Sequence, residues 1–220
     1  TPAPCCSYEA PAATRQQVAL EFPRPRSDAA VMREPETLLH VAAAVRAAAG
    51  VAARTGAVAV REGRIVASGD LTAVRDSLQA AASAVVEVAH GDVLLLPAFV
   101  NAHAHLDLAG LGPRPLEGSF VDWARAVVRD RPRDPLAIRR AVEESLRASR
   151  AAGVGWIGDI AGSEAAVDAR ARAADDIRVP GVTWLEVFGI GARAQAAADL
   201  AAERLGVLRS RHADRVDLRI

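Results

Sequence analysis

The sequence predicts an α/β fold, on three observations. From Leu94 onward, apolar runs of strand length alternate with stretches of helical spacing. Before Leu94 the pattern is one of short strands and a hairpin. The composition, 51% hydrophobic and 25% charged over 220 residues, suits a globular chain with a sizeable core.

Residues 1–35 carry Pro2, Pro4, Pro11, Pro23, Pro25 and Pro35 with little periodicity, and are expected to form a flexible leader. Cys5 and Cys6 are adjacent in it, and neighbouring residues are poorly placed to staple a fold. The fold is expected to begin near Glu36. Residues 41–54 read either as helix, from their alanines, or as strand, from their place before a hairpin. The hairpin is Ala57 to Val60, a turn at Arg61-Glu62-Gly63, and Arg64 to Ala67. Ala84 to Val88 and Val93 to Leu96 are further short strands.

Leu95 to Asn101 is almost wholly apolar, as a strand buried on both faces should be. A helix is predicted over residues 135–152, opened by Asp134 as cap with Pro135 behind it and stopped at Gly153. Val154 to Ile160 is a second buried strand. Ser163 caps a helix reaching Asp175, Gly181 to Phe188 is a third strand, residues 192–211 form a third helix, and a fourth strand starts at Val216. Such alternation implies a parallel sheet with right-handed crossovers. A closed eight-fold barrel needs roughly 250 residues and roughly half that number follow Leu94, so the expected architecture is the first half of a (β/α)8 barrel.

The 27 basic and 27 acidic residues cancel, and all the basic ones are arginine. No global field favours nucleic acid, an anionic membrane or a highly charged substrate, so a small-molecule ligand bound at a local site is expected. Arg46 and Arg54 interrupt the longest apolar stretch, which argues against a membrane span. Residues 1–31 show no continuous apolar segment of a secretory signal, and the expected compartment is the cytoplasm.

The chemistry-bearing segment is Pro97-Ala98-Phe99-Val100-Asn101-Ala102-His103-Ala104-His105-Leu106-Asp107. Alternate side chains of a strand share a face, so His103 and His105 should project together at the strand's C-terminal end, where barrel enzymes keep their active sites. Two imidazoles so placed can take adjacent positions on one divalent ion. By spacing alone, a hydrogen-bonded core pair and a metal pair stay equally open.

The segment from Leu96 to Leu106 resembles the "LPGFVNAHTHL" signature of the amidohydrolase superfamily, in its deaminase and chlorohydrolase branch. Gly56 to Gly69 resembles the hairpin of the small β-sandwich that precedes the barrel there. Val154-Gly155-Trp156-Ile157-Gly158-Asp159-Ile160 and Trp184-Leu185-Glu186-Val187-Phe188-Gly189 are similar to its second and third strands. Departures are mild: Ala98 stands for a usual Gly, Ala104 for a usual Thr and Asp107 for a frequent Glu.

The resemblance implies part of a β-sandwich over residues 36–93 and the first half of a TIM-like barrel over 94–220. It also implies a divalent metal, zinc or else Fe2+, ligated by His103 and His105. Its remaining ligands, a fifth-strand His and an eighth-strand Asp, and its sixth-strand His and catalytic Glu, would lie beyond Ile220. So would the acid and base of catalysis. Asp159 and Glu186, at strand C-termini, are candidates to touch substrate or the ligand shell. The alternatives are a loop-holding acid for Asp159 and a partner orienting His103 or His105 for Glu186. Trp123, in the long loop after the first strand, is a substrate candidate or, preferably, a loop anchor. Asp107 reads as structural, and His40, His90 and His212 as solvated.

The implied activity is hydrolysis of a non-peptide C–N bond, foremost deamination of a purine-like or other aminated heterocycle by metal-activated water. A homodimer is compatible with it. One alternative is a binuclear cyclic-amide hydrolase of the dihydroorotase or hydantoinase type. Against it, Asn101 stands two before His103, Asp107 two after His105, and the chain has no lysine. Another is a truncated, inactive remnant.

Overall fold

In the computed structural model, residues 36–46, 53–79, 84–115, 118–187, 191–212 and 215–219 are described. The expected leader with Cys5 and Cys6, residues 47–52 of the ambiguous stretch, and Ile220 lie outside them. Among the described residues the chain divides between Phe99 and Val100 into two compact units.

The first unit is built around strand β1, Thr37–Val45, so the strand reading of residues 41–54 holds for its described part. Alanines that favour helix in isolation are overridden because β1 finds partners on both edges. It pairs antiparallel with β2, Ala53–Arg61, and parallel with β4, Val85–Ala89, and β5, Leu94–Leu95. Strand β3, Arg64–Asp70, closes the expected hairpin with β2 through Glu62 and Gly63, whose φ values of 51° and 73° are both left-handed, as a two-residue turn requires.

Helix α1, Leu71–Gln79, has no counterpart among the elements expected from the sequence. Asp70 caps it, its Oδ1 accepting from the backbone N–H groups of Thr72 and Ala73, and it buries Val74 and Leu78 against Leu39, Ala57 and Ala59.

The second unit contains a four-stranded sheet in the order β6-β7-β8-β9: Phe99–Ala104, Val154–Ala161, Gly181–Leu185 and Asp217–Arg219. β8 pairs parallel with both β7 and β9. Helices α3, Pro135–Ala151, α4, Glu164–Ala171, and α5, Ala194–His212, follow the predicted order. Asp134 caps α3 through the Ala137 N–H, and Gly153, at φ 78°, ends it in the left-handed conformation. Ser163 caps α4 as expected, but the helix stops at Ala171, not Asp175. Leu146 and Val142 of α3, Val167 of α4, Leu208 of α5, Ile157 of β7 and Leu218 of β9 form one core.

Three further expectations are corrected. The strand over Leu95 to Asn101 is not buried on both faces: β6 is the last strand of its sheet, and Phe99 and Val100 are 53% and 64% exposed. Trp123 lies not in a loop but on helix α2, Phe120–Asp130, half-buried and stacked on Phe120. His40 and His212 are buried, not solvated. Nδ1 of His40 lies 3.0 Å from Nε2 of half-buried His90, and His212 pairs with Asp168. The overall class is mixed α/β. No helix among the described residues is long and apolar enough to cross a membrane.

Candidate metal centre

β6 delivers the two motif histidines. His103 is on the strand and His105 one residue past its end, and the rings meet edge to face with centroids 5.4 Å apart. The projection to one side that strand spacing predicts is what brings them together. Asn101, between the exposed strand start and the motif, turns its Oδ1 back to accept from the His103 N–H at 3.3 Å, a local bond available on an edge strand.

His103 is exposed and His105 half-buried. Nδ1 of His105 is buried with no hydrogen-bond partner. A buried polar atom left unpartnered is costly, and a ring nitrogen in that condition has its lone pair or its proton available to a ligand. Two imidazoles in contact, one with an orphaned nitrogen, fit two positions of a four-coordinate borderline cation. No group of three or more His, Cys, Asp or Glu able to hold a metal occurs among the described residues.

The backbone after His105 is held tightly. A 3-10 turn, Leu106–Leu111, starts there, and the Leu108 N–H donates to the His105 carbonyl. Oδ1 of Asp159, on β7, accepts from the Leu106 N–H at 3.1 Å, while Ser145 of α3 donates to the Leu106 carbonyl.

Asp159 is 1% exposed and pairs through Oδ2 with Arg170 of α4 at 3.4 Å. Burial pushes its carboxyl above the ordinary value, against the opposing pull of Arg170 and of the Leu106 N–H. Arg170 donates in addition to the carbonyls of Ile157 and Val182, so the acid expected at the mouth of the site is committed to the framework.

Asp107 is also buried, and Nη2 of Arg131 donates to its Oδ2 at 3.3 Å while its Oδ1 has no partner. Nη1 of the same guanidinium donates to Glu186, just past the end of β8, at 3.3 Å. Glu186 therefore partners Arg131 and leaves Nδ1 of His105 unbonded. Arg131 is absent from the residues that the sequence singles out. Its one readable sign is its position before Pro132, which ends α2 and forces Arg131 into the extended conformation observed, φ −57° and ψ 143°.

No family model matches the sequence, and no curated protein does. Solved structures do match. Aminofutalosine deaminase from Helicobacter pylori superimposes with a TM-score of 0.58 at 20% identity, over 82% of this chain and 42% of that one. Atrazine chlorohydrolase from Arthrobacter aurescens, complexed with zinc, gives 0.62 at 17% identity over 83% and 46%. Guanine deaminase from E. coli gives 0.55 at 13% identity over 84% and 44%.

The chain shares its fold with the matched part of these two deaminases and this chlorohydrolase. It spans less than half the length of these solved chains. At such identities the likeness is one of fold.

Proposed function

We propose that the protein is, or is part of, a metal-dependent hydrolase of non-peptide C–N bonds, with His103 and His105 as two ligands of a divalent cation. The observation that carries the reading is the edge-to-face pair of His103 and His105, with the buried Nδ1 of His105 left without a partner, at the C-terminal end of a strand. Support also comes from the shared fold with deaminases and a chlorohydrolase, the latter complexed with zinc. In this reading β6 to β9 are the opening strands of a (β/α)8 barrel, and residues 36–93 belong to a small β-sandwich.

When bound, the cation supplies Lewis acidity that lowers the pKa of water for attack on the carbon bearing the leaving nitrogen. The residues present do the holding. His103 and His105 donate ring nitrogens, and Asp159 fixes the backbone N–H that follows His105. Zinc is the proposed ion, with Fe2+ as its competitor, since imidazole suits both. Deamination of an aminated heterocycle is favoured over cyclic-amide hydrolysis, because Asn101 stands two residues before His103, and Asp107, two after His105, is buried against Arg131. Trp123, half-buried on α2 and stacked on Phe120, is the residue proposed to reach substrate. A cytoplasmic location accompanies this reading.

Elemental analysis tests it. Replacing His103 or His105 with Ala is expected to strip bound zinc, and replacing His212, which pairs with Asp168, to leave it. Equal metal in all three variants would refute the assignment. With two ligands among its described residues, the 220-residue polypeptide alone is expected to release no ammonia from aminated heterocycles.

A further inference from the structure

We propose that Arg131 is a positioning residue for His105, acting through a two-pronged clamp on Asp107 and Glu186. The inference rests on the reading of His103 and His105 as cation ligands.

The clamp starts with the sequence Asp130-Arg131-Pro132. Pro132 stops α2 and turns Arg131 out of the helix, so its guanidinium extends over Gly162, just past the end of β7. A Cβ at residue 162 would fall on that guanidinium, so glycine is what leaves it room. From there its two Nη atoms reach Asp107, 24 residues back, and Glu186, 55 residues on, each at 3.3 Å. A planar fork can hold two carboxylates at once, and an ammonium point charge cannot reproduce that geometry.

Arg131 is 16% exposed in its side chain, Asp107 3% and Glu186 23%, so the contacts are sheltered from water and salt.

The clamp matters to His105 because of where Asp107 sits. It is the second residue of the 3-10 turn whose Leu108 N–H returns to the His105 carbonyl, and its other oxygen has no partner. Without Arg131 a buried carboxylate would have no counter-charge, and the turn would reorganise to hydrate it. His105 is the residue on which that turn begins. Holding Asp107 therefore holds the ring orientation of His105, the kind of outer support that fixes a metal-binding imidazole.

The test compares the protein with its Arg131→Met, Arg131→Lys and Glu186→Gln variants, and with Arg139→Met as a surface control whose salt bridge to Glu143 lies on the exposed side of α3. In the metal-free protein, hydrogen exchange at the Leu108 amide is expected to quicken on the order of tenfold in Arg131→Met and less in Arg131→Lys. In a Co2+ titration, Arg131→Met is expected to lower affinity about 10–100-fold and alter the visible absorption bands, with partial rescue by Arg131→Lys. Arg139→Met should move neither. Should Arg131→Met fail to fold, Glu186→Gln, which removes one prong, is expected to give the same two changes in smaller degree.

Unchanged Leu108 exchange, or unchanged Co2+ affinity alongside a clear loss in His105→Ala, overturns the positioning role. If Leu108 exchange quickens while His105→Ala leaves Co2+ binding untouched, the clamp is real and the metal reading is the part that fails.

Discussion

Asp159 on β7 accepts the backbone N–H of Leu106 at 3.1 Å, so a fully buried carboxylate ties the residue after the second motif histidine to the neighbouring strand. Its other oxygen is paired with Arg170, which is 4% exposed. Removing one member of a buried pair leaves the other uncompensated. Asp159→Ala is expected to cost about 3–5 kcal/mol in urea unfolding, and Asp159→Leu with Arg170→Met to cost less than Asp159→Ala alone. A double variant as unstable as the single one would show that the hydrogen bond to Leu106, not the ion pair, dominates.

Close approach of two strands sets a second expectation. A Cβ at Gly158 would overlap the Ala102 carbonyl oxygen, next to His103, and stand 2.9 Å from the Trp184 ring. The carbonyl is backbone and cannot swing away, so Gly158→Ala is expected to destabilise by about 1–3 kcal/mol. Gly206 lies within α5, where an added methyl group would meet nothing within 4 Å, and Gly206→Ala should stabilise by about 0.5–1 kcal/mol. Thermal unfolding of the two variants should therefore move in opposite directions.

Much of this framework is legible in the sequence, where local signals and burial agree. Asp134-Pro135 and Gly153 bracket α3, and Glu62-Gly63 marks the hairpin turn. Helix α2 carries a local sign too, although the long-loop expectation for Trp123 overlooks it: Ser119 accepts from the Asp122 N–H, a Ser-x-x-Asp cap before an apolar run.

Contacts between distant residues are not legible in the same way. The Arg131 clamp spans 24 and 55 residues and the His212 pair with Asp168 spans 44, and nothing in local spacing selects those partners. The His103 and His105 pair is readable because strand geometry alone puts residues two apart on one face.

The first unit should respond to acid through His40. Burial, and then the neighbouring His90, hold its imidazole below the ordinary value of 6.5. The unfolded chain takes up this proton near 6.5 and the folded one resists it, so the unfolded state binds more protons once the pH drops below that value. Stability is then at its full value above about pH 6.5 and declines as the pH falls through the depressed folded value. Denaturation midpoints between about pH 7.5 and 5 should show this decline in the protein and a shallower one in His40→Gln. Equal slopes would remove His40 as the cause.

The last expectation concerns the open edges of the second sheet. Among the described residues β6 and β9 are its outer strands, and each presents backbone N–H and C=O groups on the side away from its one neighbour there. On β6 this edge is apolar as well, with Phe99 and Val100 more than half exposed, and Val187 beyond β8 is 41% exposed. Natural sheets blunt such edges with charge, proline or a covering element, and an apolar uncovered edge pairs with other chains. Ile157 of β7, by contrast, faces the core and is 0% exposed.

The 220-residue polypeptide is therefore expected to self-associate at micromolar concentration, in sedimentation velocity, as a concentration-dependent shift. Val100→Lys places a charge on the edge without touching the core and should suppress that shift while leaving the unfolding midpoint within about 0.5 kcal/mol of its original stability. A monodisperse monomer at all concentrations would mean that this edge is covered. Association undiminished in Val100→Lys would move the contact to β9.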